Sequence, residues 1–165
     1  FGATGGVMEA ALRTVYEVVT KKELKNIDFT DIRGVEGVKE AVIDIDGTKV
    51  NVAVAHGLGN ARKLLDRIKN GEGDYHFIEI MCCPGGCVGG GGQPILSSQE
   101  RWETDYKQAR GEAIYEVDRN MALRKSHENP AVKALYEDYL GEPLGEKSHK
   151  LLHTHYTKRE LYTED

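Results

Sequence analysis

All three cysteines of this chain fall within six residues, in Met81-Cys82-Cys83-Pro84-Gly85-Gly86-Cys87-Val88, and four consecutive glycines, Gly89 to Gly92, follow. Thiolate is the ligand that soft iron–sulfur centres select, and glycine lets backbone approach an inorganic cluster that a Cβ would hold off. A cubane normally takes four thiolates, which this chain does not contain. In an extended stretch Cys82 and Cys83 point to opposite sides, so one of them shares a target with Cys87 and the other is a buried small hydrophobe or a neighbouring thiol. An odd count with two adjacent thiols argues for a reducing compartment over a disulfide framework.

Other groups are weaker candidates. A zinc site built from two of the cysteines and a histidine is the first rival, but structural zinc loops are not normally followed by a glycine run. His56-Gly57-Leu58-Gly59 resembles a phosphate cradle, yet a lone Gly-x-Gly is better explained as a tight strand-to-helix turn. His149 and His153 lie one helical turn apart with His155 nearby, a spacing that suits packing or docking more than ligation because no cysteine or carboxylate pair accompanies them. Glu9 is a conceivable proton carrier, with a solvent or salt-bridge role the favoured reading.

The elements that must position these residues can be placed from periodicity. Apolar residues at 7, 8, 11, 12, 15, 16 and 19 predict a helix from Val7 to Val19, starting after a Thr-Gly-Gly turn. Val38–Asp46 and Lys49–Ala55 read as strands of a hairpin turned at Asp46-Gly47, with Val50, Val52 and Val54 on one face. A helix bearing Ala61, Leu64, Leu65 and Ile68 stops at Gly71. Tyr75–Met81 is a nearly continuous apolar run, which predicts a strand covered on both faces. Strand, helix, strand implies a parallel crossover, so the His56 turn and the cysteine loop leave carboxyl ends of neighbouring strands, where α/β sheets bind ligands. From Ser97 or Ser98 a helix with Trp102 and Tyr106 is expected to run to about Lys125, weakest at Gly111. Asn129-Pro130 caps the next, Gly141 ends it at Leu140, and a last helix holds His149, Leu152, His153 and Tyr156. The fold class is therefore α/β: a parallel strand–helix–strand unit and a β-hairpin bear the cluster loop, and an α-helical tail follows.

At 165 residues and a net charge of -5, the composition has no basic excess to suggest nucleic acid, and no apolar run reaches the roughly 20 residues of a membrane span. The start at Phe1, without an initiator methionine and directly in a glycine loop, is expected of part of a longer sequence.

Two blocks, Phe1-Gly2-Ala3-Thr4-Gly5-Gly6-Val7-Met8-Glu9-Ala10-Ala11-Leu12-Arg13 and Glu79-Ile80-Met81-Cys82-Cys83-Pro84-Gly85-Gly86-Cys87 with its glycines, resemble the second and third active-site signatures of iron–iron hydrogenases. Leu140-Gly141-Glu142-Pro143 and His149-Lys150-Leu151-Leu152-His153-Thr154-His155-Tyr156 resemble the family's small-subunit region. Essentially the whole chain is covered. The middle section, Ala53 to Arg62, is most similar to catalytic subunits of NAD(P)-linked, often electron-bifurcating, multisubunit hydrogenases.

The resemblance implies an H-cluster, a 4Fe-4S cubane bridged to a two-iron centre with carbonyl, cyanide and azadithiolate ligands. It implies Cys83 and Cys87 as cubane ligands, with Cys87 the catalytic bridge, and Phe1, Gly2, Thr4, Met81 and Gly86 as cofactor-binding. An alanine usually stands at the place of Cys82, and a tolerated small-residue exchange is the favoured account of that departure. Residues 1–96 would be the carboxyl-terminal half of the cluster domain and 97–165 the small-subunit-like region. The activity implied is reversible oxidation of dihydrogen, coupled to ferredoxin and/or NAD(P). The remainder of the catalytic subunit would supply the other cubane ligands and the proton relay, so the isolated piece is expected to be inactive. Electron-transfer partner subunits or absent sequence would hold further iron–sulfur clusters and FMN or NAD(P) sites, and a cytoplasmic location is expected. The alternative is a hydrogenase-like iron–sulfur protein with an assembly or sensory role and no turnover.

Overall fold

The computed structural model describes residues 1–34 and 36–160. These divide into two compact units, the first ending at Lys125 and the second beginning at Ser126.

The first unit is built on a three-stranded sheet in the order β1 (Val38–Ile45), β2 (Thr48–His56), β3 (Phe77–Met81). β1 and β2 pair antiparallel through a two-residue turn in which Asp46 and Gly47 take φ of 53° and 89°, the doubly positive geometry for which Asp-Gly is selected. β2 and β3 pair parallel, with Val52 opposite Phe77 and His56 opposite Met81. Helix α1 (Gly6–Thr20) buries Met8 and Leu12 against Val52, Val54, Ile43 and Ile45 on one face of the sheet. Helix α2 (Leu58–Lys69) sets Leu64 against Ala53 and Ala55 on the other. β2 is thus buried on both faces, and the alternation of valine with alanine suits it: bulky residues meet α1, small ones let α2 approach. Complete burial of a side chain such as Leu64 contributes about 1.5–3 kcal/mol.

The expectation for the third strand is corrected. β3 begins at Phe77, and it is not covered on both faces: Phe77 and Ile80 are exposed, and the buried residue at its centre is the acid Glu79. β3 lies at the edge of the sheet, and an apolar run alone does not say which faces are covered.

The single helix expected from Ser97 to Lys125 is two. In α3 (Ser98–Glu103), Ser97 and Glu100 form a reciprocal capping box. The chain then breaks at Thr104-Asp105, and Asp105 caps α4 (Tyr106–Asn120) by accepting from the Gln108 N–H. Gly111 is no weak point: it is buried within α4, where a Cβ would lie 3.7 Å from the Ala3 side chain.

In the second unit, Asn129 caps α5 (Pro130–Leu135) with proline in its first turn, and a π-helical turn (Tyr136–Leu140) follows, closed by the Gly141 N–H on the Tyr136 carbonyl. The last helix, α6 (Glu146–Leu152), is shorter than expected. His153 terminates it and Tyr156 lies beyond it, because past Leu152 no described residue is buried to anchor a further turn. Leu140 and Ser148 are the buried residues of this unit among those described.

A candidate cluster-binding site

Two glycine-rich loops cross at one point. The segment Phe1–Gly5, leading into α1, and the loop after β3 form an isolated antiparallel bridge between Ala3 and Gly86. The Thr4 N–H donates to the Gly85 carbonyl at 3.0 Å, and the Val88 N–H to the Gly2 carbonyl at 3.2 Å. Gly86 takes φ 93° and ψ -160°, a region open essentially to glycine alone. A Cβ there would lie 2.7 Å from the Thr4 nitrogen, 2.8 Å from the Gly2 oxygen and 2.9 Å from the Met81 Sδ. The cysteine loop itself is wound by three successive backbone bonds: Gly86 N–H to Cys83 O, Gly89 N–H to Gly86 O and Gly90 N–H to Cys87 O, each 3.0 Å.

Neighbouring elements hold this crossing. The Gly57 N–H donates to the Met81 carbonyl at 2.8 Å, extending the β2–β3 ladder past its end. His56, buried at the end of β2, accepts the Gly85 N–H at Nδ1 (3.0 Å), which places its ring proton on Nε2. On the other side Arg110 of α4 donates to the carbonyls of Val88 (3.0 Å) and Pro94 (2.7 Å). At the start of α1, the Glu79 carboxylate accepts from the Gly5 N–H at 2.6 Å and the Met8 N–H at 2.7 Å.

Charge is concentrated behind the loops. Glu9, 2% exposed, accepts from Arg13 (2.8 Å) and Arg33 (3.0 Å), and Asp118 binds Arg13 and Arg124. Burial alone would raise the Asp118 carboxyl, but hydrogen bonds from Arg13 and Arg124 outweigh it and hold the group at about 2. Glu9 is therefore a salt-bridge residue, the reading favoured from sequence. Lys39, 5% exposed, donates to the carbonyls of Gly34 (2.7 Å) and Thr4 (3.3 Å); burial lowers its ammonium to about 8 against the opposing attraction of Glu79 and Glu36. A cavity of about 390 Å³, lined in part by Thr4, Gly85, Arg33, Lys107 and Tyr115, opens beside the crossing. The Thr4 Oγ1 and the Tyr115 hydroxyl are buried without a hydrogen-bond partner among the described residues, and burial, with Glu9 nearby, pushes Tyr115 up to about 12.

The sequence-predicted residues meet around this crossing. Gly2, Thr4, Met81 and Gly86 sit at it, Cys83 and Cys87 are exposed on the loop it anchors, and Phe1 is 70% exposed. Cys82 is exposed as well, rather than buried as a small hydrophobe. His149 and His153 stack with ring centroids 4.5 Å apart. Sequence reasoning missed Glu79, Lys39 and Arg110 as holders of the loops; Glu79 announces itself only as an acid inside an apolar run. The sequence marks His56 by its turn, whereas the bond its ring makes to Gly85 has no local signature. The donors present fit part of the ligand set of an iron–sulfur cubane: free, exposed thiols lie on a loop where Gly90 comes so near Cys83 that a Cβ would sit 3.1 Å from its Sγ.

Comparison with known proteins bears on the same residues. The family model for the iron-only hydrogenase large subunit, C-terminal domain, matches residues 1–91, and that for the iron hydrogenase small subunit matches residues 104–159. Over 160 residues the chain is 52% identical to the NADP-reducing hydrogenase subunit HndD of Solidesulfovibrio fructosivorans, covering 97% of this chain and 26% of that protein. It is 44% identical over 158 residues to iron hydrogenase 1 of Clostridium pasteurianum, covering 96% and 28%. A solved structure of a variant of the FeFe-hydrogenase HydA1 from Chlamydomonas reinhardtii superposes with a TM-score of 0.72 at 44% identity, covering 94% of this chain and 45% of that one. The chain thus spans about a quarter of the length of these two curated relatives.

Proposed function

The chain belongs to the iron-only hydrogenase family, and on that premise we propose that it forms one wall of the active site of a hydrogenase catalytic subunit, which oxidises dihydrogen reversibly once joined to the rest of its polypeptide. The observation that carries this reading is the Ala3–Gly86 bridge, which joins the two blocks resembling active-site signatures into one backbone unit. Residues 1–96 are assigned to the cluster domain and 97–165 to the small-subunit-like region; of the latter, 161–165 lie outside the described residues.

Cys83 and Cys87 are assigned as the thiolates that would hold a cubane, and Cys87 as the one that would also take the catalytic role toward a two-iron centre. When bound, such a cofactor supplies the H–H bond chemistry. Around it this chain orients and shields. Thiolates from one rigid turn fix the direction from which the cluster is held, and Met81 with Phe1 brings apolar surface that limits water. The backbone N–H groups of the Gly2–Thr4 and Gly85–Gly90 segments that are not engaged within the crossing are suited to an anionic cluster, whereas the positive end of α1 is taken by the Glu79 carboxylate. Thr4 and Gly86 act through backbone, the first by donating to Gly85, the second by leaving room for Met81. The proton relay and the other cubane ligands are assigned to the remainder of the subunit. Partner subunits, ferredoxin or NAD(P), further clusters and flavin are proposed on the likeness to the NADP-reducing relative. Three free, exposed thiols suit a reducing cytoplasm, and no helix is long and apolar enough to cross a membrane among the described residues.

The test is the infrared spectrum of the matured natural protein. Carbonyl and cyanide bands are expected, lost in Cys87→Ser and retained in Cys82→Ala. Their absence from a fully matured preparation would replace the catalytic reading with that of a hydrogenase-like protein serving assembly or sensing. If Cys82→Ala destroyed the cubane while Cys83→Ala spared it, the ligand assignment would shift by one residue.

A further inference from the structure

Helix α1 begins without a cap of its own. Its N-cap is Gly5, at φ 92°, where a Cβ would meet the Ile32 carbonyl oxygen at 2.2 Å, so no Ser, Thr, Asp or Asn can occupy the position without displacing that backbone. In a capping box the N-cap side chain accepts the N–H three residues on, and the residue there accepts the N-cap N–H. Here a single carboxylate, supplied across the fold by Glu79, accepts both: Gly5 N–H at 2.6 Å and Met8 N–H at 2.7 Å. Glu79 is 7% exposed and lies on β3, two residues before Met81 and four before Cys83.

An ionised carboxylate at that depth requires compensation. Two amide donors and the positive end of a 15-residue helix supply part of it. Lys39 adds a further positive charge: its buried ammonium feels the attraction of Glu79, and of Glu36, while holding the Thr4 and Gly34 carbonyls. Thr4 is the residue whose N–H reaches Gly85 in the cysteine loop. Lys39 and Glu79 therefore grip the Thr4-Gly5 peptide region from its carbonyl side and its N–H side, and Glu79 belongs to the strand that delivers Met81 and the thiols.

We propose that Glu79, with Lys39 as its countercharge, is the positioning pair that sets the register between the Phe1–Gly5 loop and the cysteine loop, and that the two buried charges bias the potential of a cluster held on Cys83 and Cys87. The electronic half of this inference rests on the hydrogenase reading; the mechanical half does not.

The experiment uses the natural full-length protein in wild-type form and as Glu79→Gln, Lys39→Met and the double variant, at pH 7. In metal-free protein, amide hydrogen exchange at Gly5 and Met8 is expected to speed about tenfold to a hundredfold in Glu79→Gln, because glutamine offers one acceptor oxygen to two donors and a hydrogen bond to a charged group contributes about 1.5–3 kcal/mol. Unchanged exchange would overturn the latch. In matured protein, the cubane midpoint potential is expected to rise in Glu79→Gln and fall in Lys39→Met, with the double variant returning toward wild type; shifts of one sign in both single variants, or none, would overturn the electrostatic bias. If Glu79→Gln does not fold, Lys39→Met decides both halves: it removes the grip on the Thr4 carbonyl, so exchange at the Thr4 amide that bonds Gly85 is expected to speed, and unchanged exchange there overturns the register role as a potential that does not fall overturns the bias. Wild-type protein without carbonyl and cyanide bands would defeat the hydrogenase reading while the exchange measurement still stands.

Discussion

The loop crossing just before α1 and the charge cluster around Glu9 and Arg13 are secured by different means. At the first, the loops cross through backbone hydrogen bonds, and Gly86 and Gly5 exclude a side chain because no volume remains for a Cβ. At the second, Glu9 and Arg13 join Arg33, Asp28, Asp118 and Arg124 in a cluster of three acids and three arginines, where charged side chains do the holding, on one another and, through Arg13, on the Ile27 and Arg124 carbonyls. Backbone contacts fix position closely and tolerate almost no substitution, which holds the loop that carries the three cysteines in one place. A charge cluster tolerates small displacements and ties α1 to α4, which in turn reaches the loops through Arg110. Placement of the cysteine loop and stability of the fold are thus assigned to separate devices a few residues apart along the chain.

That separation can be broken from the charge side first. Arg13→Met leaves Glu9 and Asp118 short of a partner and is expected to cost about 3–5 kcal/mol in urea unfolding, as for removal of one member of a buried pair, while iron per folded molecule stays at the wild-type ratio. A proportional loss of iron would show that the two devices are one. Next in size, Gly86→Ala is expected to cost about 3 kcal/mol from an excluded backbone region together with the clash, and here iron content should fall out of proportion to stability. Retained iron with reduced stability would reverse the assignment. The smallest effect is in acid. Because Asp118 is held at about 2 in the fold against its ordinary 3.8, it contributes stability that is fully present above pH 4 and is lost as the pH falls through 2. The size expected is about 2 kcal/mol, and the pH dependence of wild-type unfolding minus that of Asp118→Asn measures it.

What the sequence disclosed about this molecule was whatever local chemistry controls. Asp46-Gly47 fixes its own hairpin because both residues must take positive φ, and Asn129-Pro130 marks a helix start because a cap and a missing N–H belong together. The crossing of the two loops was legible only as two blocks of a family resemblance. Nothing local shows that Ala3 lies against Gly86, eighty-odd residues away. Glu79 was hidden for a different reason: hydropathy counts an acid in an apolar strand as an interruption, whereas its partners are backbone amides that no side-chain pattern reveals. The break before α4 has a local signature, since Asp105 and the Gln108 N–H it accepts follow the ordinary capping pattern, but Gly111 is the more conspicuous breaker in the sequence. Its actual part is to let α4 come close to Ala3, a tertiary contact with no local signature.

The Gly86 crossing also bears on heredity. The atoms that a side chain at this position would strike include the Thr4 nitrogen and the Gly2 oxygen, which are main chain and identical whatever residues a gene specifies there. A mutation at Gly86 therefore has no compensating mutation at Gly2 or Thr4, and the two loops cannot drift apart by paired exchanges as contacting side chains can. Descent through this point must proceed with glycine in place at every step, or else by moving the backbone of both loops at once.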